Sequence, residues 1–591
     1  MKCFSICFVA CTLYYSANCQ NVINAQDTSR QFTIANGQKY LNFPVSESAK
    51  TKRARILVDG KLIDHLTIKL ATDKPDYWVY FDAAPYQGQT ITVEVSSQEP
   101  PSFASGGAQP VVQIEPEKLK AALQMITPGN TFPGQDSLYK ETKRPQVHFT
   151  SRRGWLNDPN GLLYYNGEYH LYYQHNPYGW AWGNMHWGHA VSTDLLHWQE
   201  LSDAIYPANT RDAAFSGSAV VDVNNTAGFR KNGIDPLIAF YTSTGRGECM
   251  KISYDNGRTF IDYEGNPVVK HTGRDPKVFW YEPGKHWVLV LYDAGNKRKM
   301  DLDQETVINQ NVIYTSPDLK NWTFQSGIAG FFECPELFQL PVEGEDGKSK
   351  WVMYDASGRY IVGDFDGKKF IIDQNLKKYD YGGYFYASQT YNNTPDKRRI
   401  QIGWGRNITF PGMPFNQTML FPTELKLKKA FDGLRLCPTP IKEIISLHQK
   451  PQIFENKIIK ANAGLSVPVE GDAIHLIAEF EKGDAIPFGL NILGYEIEYN
   501  DLIGQFTTNL KNTRITYDYV KPDTYNFKIE AIVDKNIIEI FVNDGEIYYV
   551  APFDAEKTGK VEAYIKGRGG DRKVIIKKME VYQLKSIWNK E

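Results

Sequence analysis

Trp155-Leu156-Asn157-Asp158-Pro159-Asn160-Gly161, followed at once by Leu162-Leu163-Tyr164-Tyr165, is the stretch on which the fold of this chain turns. Two asparagines and a proline around Asp158 make a tight polar turn, and the apolar and aromatic run behind it reads as a β-strand. Pro159 disfavours the α region for the residue before it, so Asp158 is expected to be extended, with its carboxylate at a strand edge. Taken alone, the segment is an Asn/Asp turn closing a hairpin. Its surroundings decide whether it is more.

Those surroundings are short strands. From about Tyr139 to Leu436 they follow one another between Gly, Asn, Asp and Pro, as in 169–173, 237–242, 287–292 and 351–354, with hardly any helical period. Strand and turn units without helices suggest a β-propeller, which removes exposed sheet edges by radial repetition. Partial internal repeats agree. Ser192-Thr193-Asp194-Leu195-Leu196-His197-Trp198 echoes Ser316-Pro317-Asp318-Leu319-Lys320-Asn321-Trp322, and Ser253-Tyr254-Asp255-Asn256-Gly257-Arg258-Thr259-Phe260 is a third variant. Each reads as the turn between the outer strands of one blade. Some 300 residues at ~60 per blade gives five blades.

On either side of this region the pattern changes. Upstream, Ala54 to Leu62 and Tyr77 to Phe81 alternate as in a small β-sandwich. A Pro, Ser, Gly and Ala-rich linker from Glu99 to Pro110 and a short helix from Pro116 to Met125 follow. Downstream, Ile441 to His448 reads as a connecting helix, and alternation resumes at Phe527 to Val533 and Ile537 to Val542, ending at an Asp544-Gly545 hairpin turn. The basic run Arg572 to Lys578 reads as a strand with a solvated face. The expected architecture is all-β: a leader (1–19), an N-terminal β-domain with linker (20–128), a five-bladed propeller (129–440) and a C-terminal β-sandwich (441–591).

The chain has 591 residues, too many for one core, and a formal net charge of −2, which offers no basic footprint for nucleic acid. Aromatic residues make up 13%, with 36 Tyr and 12 Trp, a composition suited to stacking on sugar faces. Met1-Lys2 and the apolar run to Tyr15 form a secretory leader too brief to span a bilayer. It ends either in cleavage after Cys19, the favoured reading, or in lipid attachment to Cys19. Either ending places the chain outside the cytoplasm, secreted, periplasmic or held at a surface. Four of the seven cysteines lie in the leader. Cys249, Cys334 and Cys437 remain, too few for a disulfide framework and without metal-site spacing. No later stretch is apolar enough to cross a membrane.

Two further acidic motifs join Asp158: Arg274-Asp275-Pro276 and Glu333-Cys334-Pro335-Glu336-Leu337, each leading into a strand. Asp158, Asp275 and Glu333 are 117 and 58 residues apart, multiples of one blade to a good approximation. Acids at the starts of different blades converge on one end of a propeller's central channel. A carboxylate pair flanking a sugar bond is what retaining glycoside hydrolysis requires, one attacking the anomeric carbon and the other protonating the leaving oxygen. Clustering separates their roles, because a carboxyl beside other negative charge is pushed toward its neutral form.

These three boxes, in this order, resemble the signature of glycoside hydrolase family 32, the β-fructosidases that include invertases, inulinases and levanases. The resemblance runs from Gln146 to the C-terminus and implies a five-bladed propeller followed by a β-sandwich. It implies Asp158 as nucleophile, Glu333 as general acid/base and Asp275 as transition-state stabiliser, with no metal or organic cofactor. It also implies substrate contacts at Trp155, Asn157, Gln174, Trp182, Phe215, Ser216, Arg274, Asp380, Tyr386 and Trp404. Asp380-Tyr381-Gly382-Gly383-Tyr384 resembles an acidic box that plant invertases follow with a lysine tied to sucrose preference. That lysine is absent, which disfavours sucrose. Thr423 stands where an Arg is common. The expected partner is a fructan, levan or inulin, hydrolysed from its end to release fructose; endo action, sucrose cleavage and a non-catalytic fructan-binding protein are the alternatives.

Overall fold

The structure, a computed structural model, describes residues 28–96 and 116–588 apart from internal stretches at 210–211, 271–272, 295–296, 300–304, 308, 431, 462, 472, 482–486, 501–504, 511–512, 517–525, 555–557 and 567–571. The leader, Cys19 and the linker from Glu99 to Pro110 lie outside the described residues. The chain divides into two compact units, with the break between Pro133 and Gly134. In the first, a four-stranded and a three-stranded antiparallel sheet enclose Ile34, Leu41, Phe43, Ile56, Val79 and Val93, all buried. Its helix, Pro116–Met125, starts on Pro as its fixed φ allows. Arg30 Nη1 caps the other end, donating to the carbonyls of Leu123, Gln124 and Ile126 at 2.8–3.0 Å.

The second unit holds five sheets, the five blades of a propeller, three of four strands and two of five; all pairings within the blades are antiparallel except that of Phe415–Asn416 with the first strand of blade I. Their first, innermost strands are Gly154–Tyr165, Ala214–Val221, Arg274–Tyr281, Glu336–Pro341 and Phe385–Thr390. The three echoed segments link the third and fourth strands of blades I, III and II, as the repeats suggested. In two of them one aspartate organises the turn: Asp194 Oδ1 accepts the N–H groups of Leu196 and His197, and Asp318 Oδ1 those of Lys320 and Asn321. Leu195 and Leu319 adopt the same left-handed φ, 68° and 63°.

Side chains near the axis sew the ring together. Gln389 of blade V accepts the Leu162 N–H of blade I (2.9 Å) and donates to the Gly217 carbonyl of blade II (2.9 Å). Asn392 Nδ2 reaches Ala219 O of blade II (2.8 Å) and Val278 O of blade III (3.3 Å). Lys277 of blade III, 2% exposed, pairs with Glu336 of blade IV at 2.8 Å and donates to Thr390 O of blade V. The backbone closes the ring where Tyr164 N–H meets Asn392 O and Asn392 N–H meets Leu162 O, both at 3.0 Å. These buried polar groups are all partnered, which is what makes a polar axis tolerable.

The expected connecting helix is a 3-10 segment, Lys442–Leu447, leading into a sandwich of two six-stranded sheets. A buried imidazole joins this sandwich to the propeller. His148, just before blade I, bonds Asp534 through Nδ1 and Glu539 through Nε2, both at 2.9 Å; Tyr548 and the Phe421 N–H also donate to Glu539. Burial pushes the His148 pKa down, but the hydrogen bonds it donates to Asp534 and then Glu539 outweigh it and raise the pKa to about 9. A histidine raised in the folded state stabilises fully below its unfolded pKa of about 6.5 and loses that stabilisation as pH rises through the folded value. The thermal midpoint should therefore carry a descending component between pH 6.5 and 9, on the order of 3 kcal/mol. His148→Gln should remove that component and lower the midpoint at neutral pH, because two buried carboxylates lose their cation, at a cost of roughly 3–5 kcal/mol. Calorimetry of both proteins across that range checks it; a gap that stays constant with pH refutes it.

Candidate active site

Asn157, Asp158 and Pro159 lie inside the twelve-residue inner strand of blade I rather than in a turn before it. What reads as a turn is a β-bulge: pairing with the second strand shifts between Leu156 and Pro159. The inner strands of blades II, III and V shift register in the same way, between Ala214 and Gly217, Arg274 and Lys277, and Tyr386 and Gln389. A bulge bends its strand and re-aims a side chain. Here the bulges fall on Asp158, Ser216, Asp275 and Ala387. Asp275 (φ 66°), Cys334 (φ 52°) and Ala387 (φ 49°) hold left-handed conformations costly for residues with a Cβ. These three stand at the end of the ring where the acids meet.

The acids form one cluster. Asp158 accepts hydrogen bonds from Ser216 Oγ (2.6 Å) and Asn157 Nδ2 (3.0 Å), and Asn157 is oriented in turn by Trp155 Nε1 (2.9 Å). Cys334 Sγ stands 3.6 Å from Asp158 Oδ2 and 3.5 Å from Asp275 Oδ2, so one thiol bridges two carboxylates. Asp275 also accepts the Cys334 N–H (3.1 Å), and its own N–H donates to Thr242 Oγ1 (3.0 Å). Glu333 accepts from Tyr386 OH (2.6 Å) and from Arg274 through both Nε (2.9 Å) and a terminal nitrogen. Its backbone is tied down as well: Ala356 N–H donates to Glu333 O, and Ala387 N–H to Ala356 O. Arg274 stacks 4.9 Å from the Tyr292 ring and 5.6 Å from that of Phe332.

Electrostatics give the carboxyls different tasks. Burial raises the Asp158 pKa, and Glu333 adds to the rise, while hydrogen bonds from Ser216, Asn157 and Cys334 act against it. Those donors favour the ionised form, which a nucleophile needs. Asp275, 6% exposed, is pushed well above the usual carboxylate range by burial and by Glu333 and Asp158, with Arg274 opposing. The Asp275 carboxyl is thus pushed toward its neutral form, and a protonated carboxyl can donate to a hydroxyl. Burial, with Glu333 next, also raises the Tyr386 hydroxyl far above its usual range, so Tyr386 stays a donor to Glu333.

Most of the other expected positions surround this cluster. Trp155, Trp404 and Tyr386 form an aromatic arc with neighbouring centroids 6.1 Å apart, and Trp404 Nε1 is fixed on Gln417. Trp182, 48% exposed, meets Phe215 edge-on at 6.0 Å. Two of the expected positions are engaged by neighbouring backbone. Gln174 is 2% exposed and its amide donates to Ala214 O, pinning blade I to blade II. Asp380 is used by its own turn: its carboxylate accepts the N–H groups of Gly382 and Gly383 (3.0 Å each), and it bridges to Tyr548 of the sandwich. Burial lifts its pKa to about 7. Among the described residues it makes no hydrogen bond or ion pair with the acids. Thr242, Tyr292 and Arg406 were missed, since each reaches the site from a second strand or a strand end that carries no motif. Cys334 sat in plain view inside the third box.

Residues 148–440 match the sequence pattern of the glycosyl hydrolases family 32 N-terminal domain, residues 443–582 that of the family 32 C terminal, and residues 27–114 a domain of unknown function. A levanase of Bacillus subtilis is 37% identical over 505 residues, covering 76% of this chain and 72% of its own. An extracellular exo-inulinase of Meyerozyma guilliermondii is 33% identical, covering 75% and 96%. Among solved structures, the exo-inulinase of Aspergillus awamori superposes with a TM-score of 0.66 at 27% identity, covering 76% of this chain and all of that one.

Proposed function

From a chain that belongs to glycoside hydrolase family 32, and is therefore a glycosidase, we propose an exo-acting fructan β-fructosidase that releases fructose from levan or inulin. The observation that carries this reading is the convergence of Asp158, Asp275 and Glu333 on one end of the propeller axis, with Arg274, Ser216 and the aromatic arc around them. Asp158 attacks C2 of the terminal β-linked fructosyl unit. As the C2–O bond breaks, Glu333 gives its proton to the departing oxygen, leaving fructose bonded to Asp158. Water then attacks C2, Glu333 takes its proton, and the Asp158 carboxylate leaves with configuration retained. Arg274 and Tyr386 hold the Glu333 carboxyl in place. Asp275 hydrogen-bonds the fructosyl hydroxyls.

The exo-inulinases among the relatives and solved structures support exo action. The levanase and exo-inulinase names of the relatives support the substrate class. The leader, and the description of the Meyerozyma relative as extracellular, support action outside the cytoplasm, with Cys19 either removed or lipidated.

Chromatography of the products from levan, inulin and sucrose tests the proposal. Fructose alone at early times is expected from a fructan, with slower release from sucrose. An oligosaccharide ladder would overturn exo action, and no release from any of the three would overturn the reading itself.

A further inference from the structure

Arg406 follows strand Ile400–Gly405 of blade V and is exposed at the rim of the pocket. Its position is fixed by the backbone: its N–H donates to Tyr384 O (2.8 Å) and Trp404 O (3.0 Å). The next residue, Asn407, has a left-handed φ of 63°, and its N–H bonds the same Gln417 Oε1 that accepts Trp404 Nε1. The guanidinium carbon lies 4.4 Å from the centre of the Tyr386 ring, whose hydroxyl is bonded to Glu333. Stacking uses the face of a guanidinium and leaves its edge of N–H donors available. Among the described residues no carboxylate lies within ion-pair distance of those donors, and no hydrogen bond takes them up. Arg274, the other arginine near Glu333, is by contrast fully engaged.

Position says what the free donors face. The arc Trp155, Trp404, Tyr386 begins at the residue that orients Asn157 beside the nucleophile and ends at the residue that binds the acid. Arg406 continues it past Tyr386, outward toward solvent. In a displacement at C2, the proton donor stands on the leaving-group side, opposite the attacking carboxylate. We propose that Arg406 is a specificity-determining residue that binds hydroxyls of the leaving-group sugar, the unit next to the bond being cut. The inference rests on the β-fructosidase reading above. A planar fork of donors suits a neutral polyol presenting neighbouring oxygens.

The test compares a fructan trisaccharide, whose leaving group is a sugar, with methyl β-D-fructofuranoside, whose leaving group is methanol. For Arg406→Ala, the ratio of kcat/KM for the trisaccharide to that for the methyl glycoside should fall roughly 10- to 100-fold relative to wild type, mostly through KM. Arg406→Lys, which keeps the charge but not the fork, should recover only part of the ratio. If Arg406 instead acts through Tyr386 on Glu333, both substrates fall together, the pH profile of kcat/KM moves for both, and the ratio stays put; that result overturns the proposal, as does an unchanged ratio with unchanged rates. Failure of the parent reading looks different, because wild type would then release fructose from neither substrate.

Discussion

Asp158→Asn should lower kcat/KM by roughly 10⁴-fold or more while substrate affinity changes little. Asparagine has the size of aspartate, its oxygen can still accept from Asn157, and its amide N–H can donate to the Ser216 hydroxyl, so the bulge and the pocket walls have no reason to move. What it lacks is a carboxylate oxygen able to bond to C2. The expected signature is a large loss in kcat with a dissociation constant for fructan oligosaccharides, measured by calorimetry on the variant, close to the wild-type KM. Residual turnover above about 1% of wild type would contradict the nucleophile assignment, since losses of that size are seen when a residue merely supports another.

Glu333→Ala should give the second largest loss, with a different signature. Without a proton donor, sugar leaving groups depart slowly, and kcat/KM should fall roughly 10²- to 10⁴-fold. A donor whose leaving group needs no proton, such as β-fructosyl fluoride, should still form the covalent intermediate. That intermediate then waits, because no base activates water. Azide needs no base, so added azide should restore turnover of the fluoride and yield a β-fructosyl azide of retained configuration. For Asp158→Asn any azide product should instead have inverted configuration, because azide then stands in for the missing nucleophile. Retained product from Asp158→Asn together with inverted product from Glu333→Ala would exchange the two roles. The variant also leaves Arg274 without its main carboxylate, so circular dichroism and thermal midpoints belong alongside the kinetics.

The legible part of this molecule was its periodicity and its boxes. Alternation, Gly and Asn punctuation and three echoed turn segments were enough for a propeller, because each blade is a local object: its strands are neighbours in sequence and its Asp-centred turns are built from seven or eight consecutive residues. The acids were legible for a related reason. Each sits beside a proline in a short motif, and blade spacing brings such motifs to one end of the axis. What failed was everything decided across blades. Asp158 reads as a turn residue since a bulge is defined only by the partner strand, and Asn157-Asp158-Pro159 carries no sign of Asn176 or Tyr173 opposite. Nothing beside Gln174 in the sequence announces its bond to Ala214, 40 residues away. Arg406 is a lone arginine at a strand end, and nothing local announces that Tyr386 lies under it.

The side chains that sew the axis together also set a timetable for synthesis. Gln389, Thr390 and Asn392 belong to the last blade to leave the ribosome, yet they hold the inner strands of the first three. His148, ahead of the first blade, finds Asp534 and Glu539 only near the end of the chain. A nascent chain of 350 residues already contains all three acids, but its pocket has no floor and its ring no closing seam. Hydrolytic competence is therefore an event of completion: the enzyme becomes active when almost the whole polypeptide exists, and a truncated product carries the catalytic residues without the enclosure that gives them their chemistry.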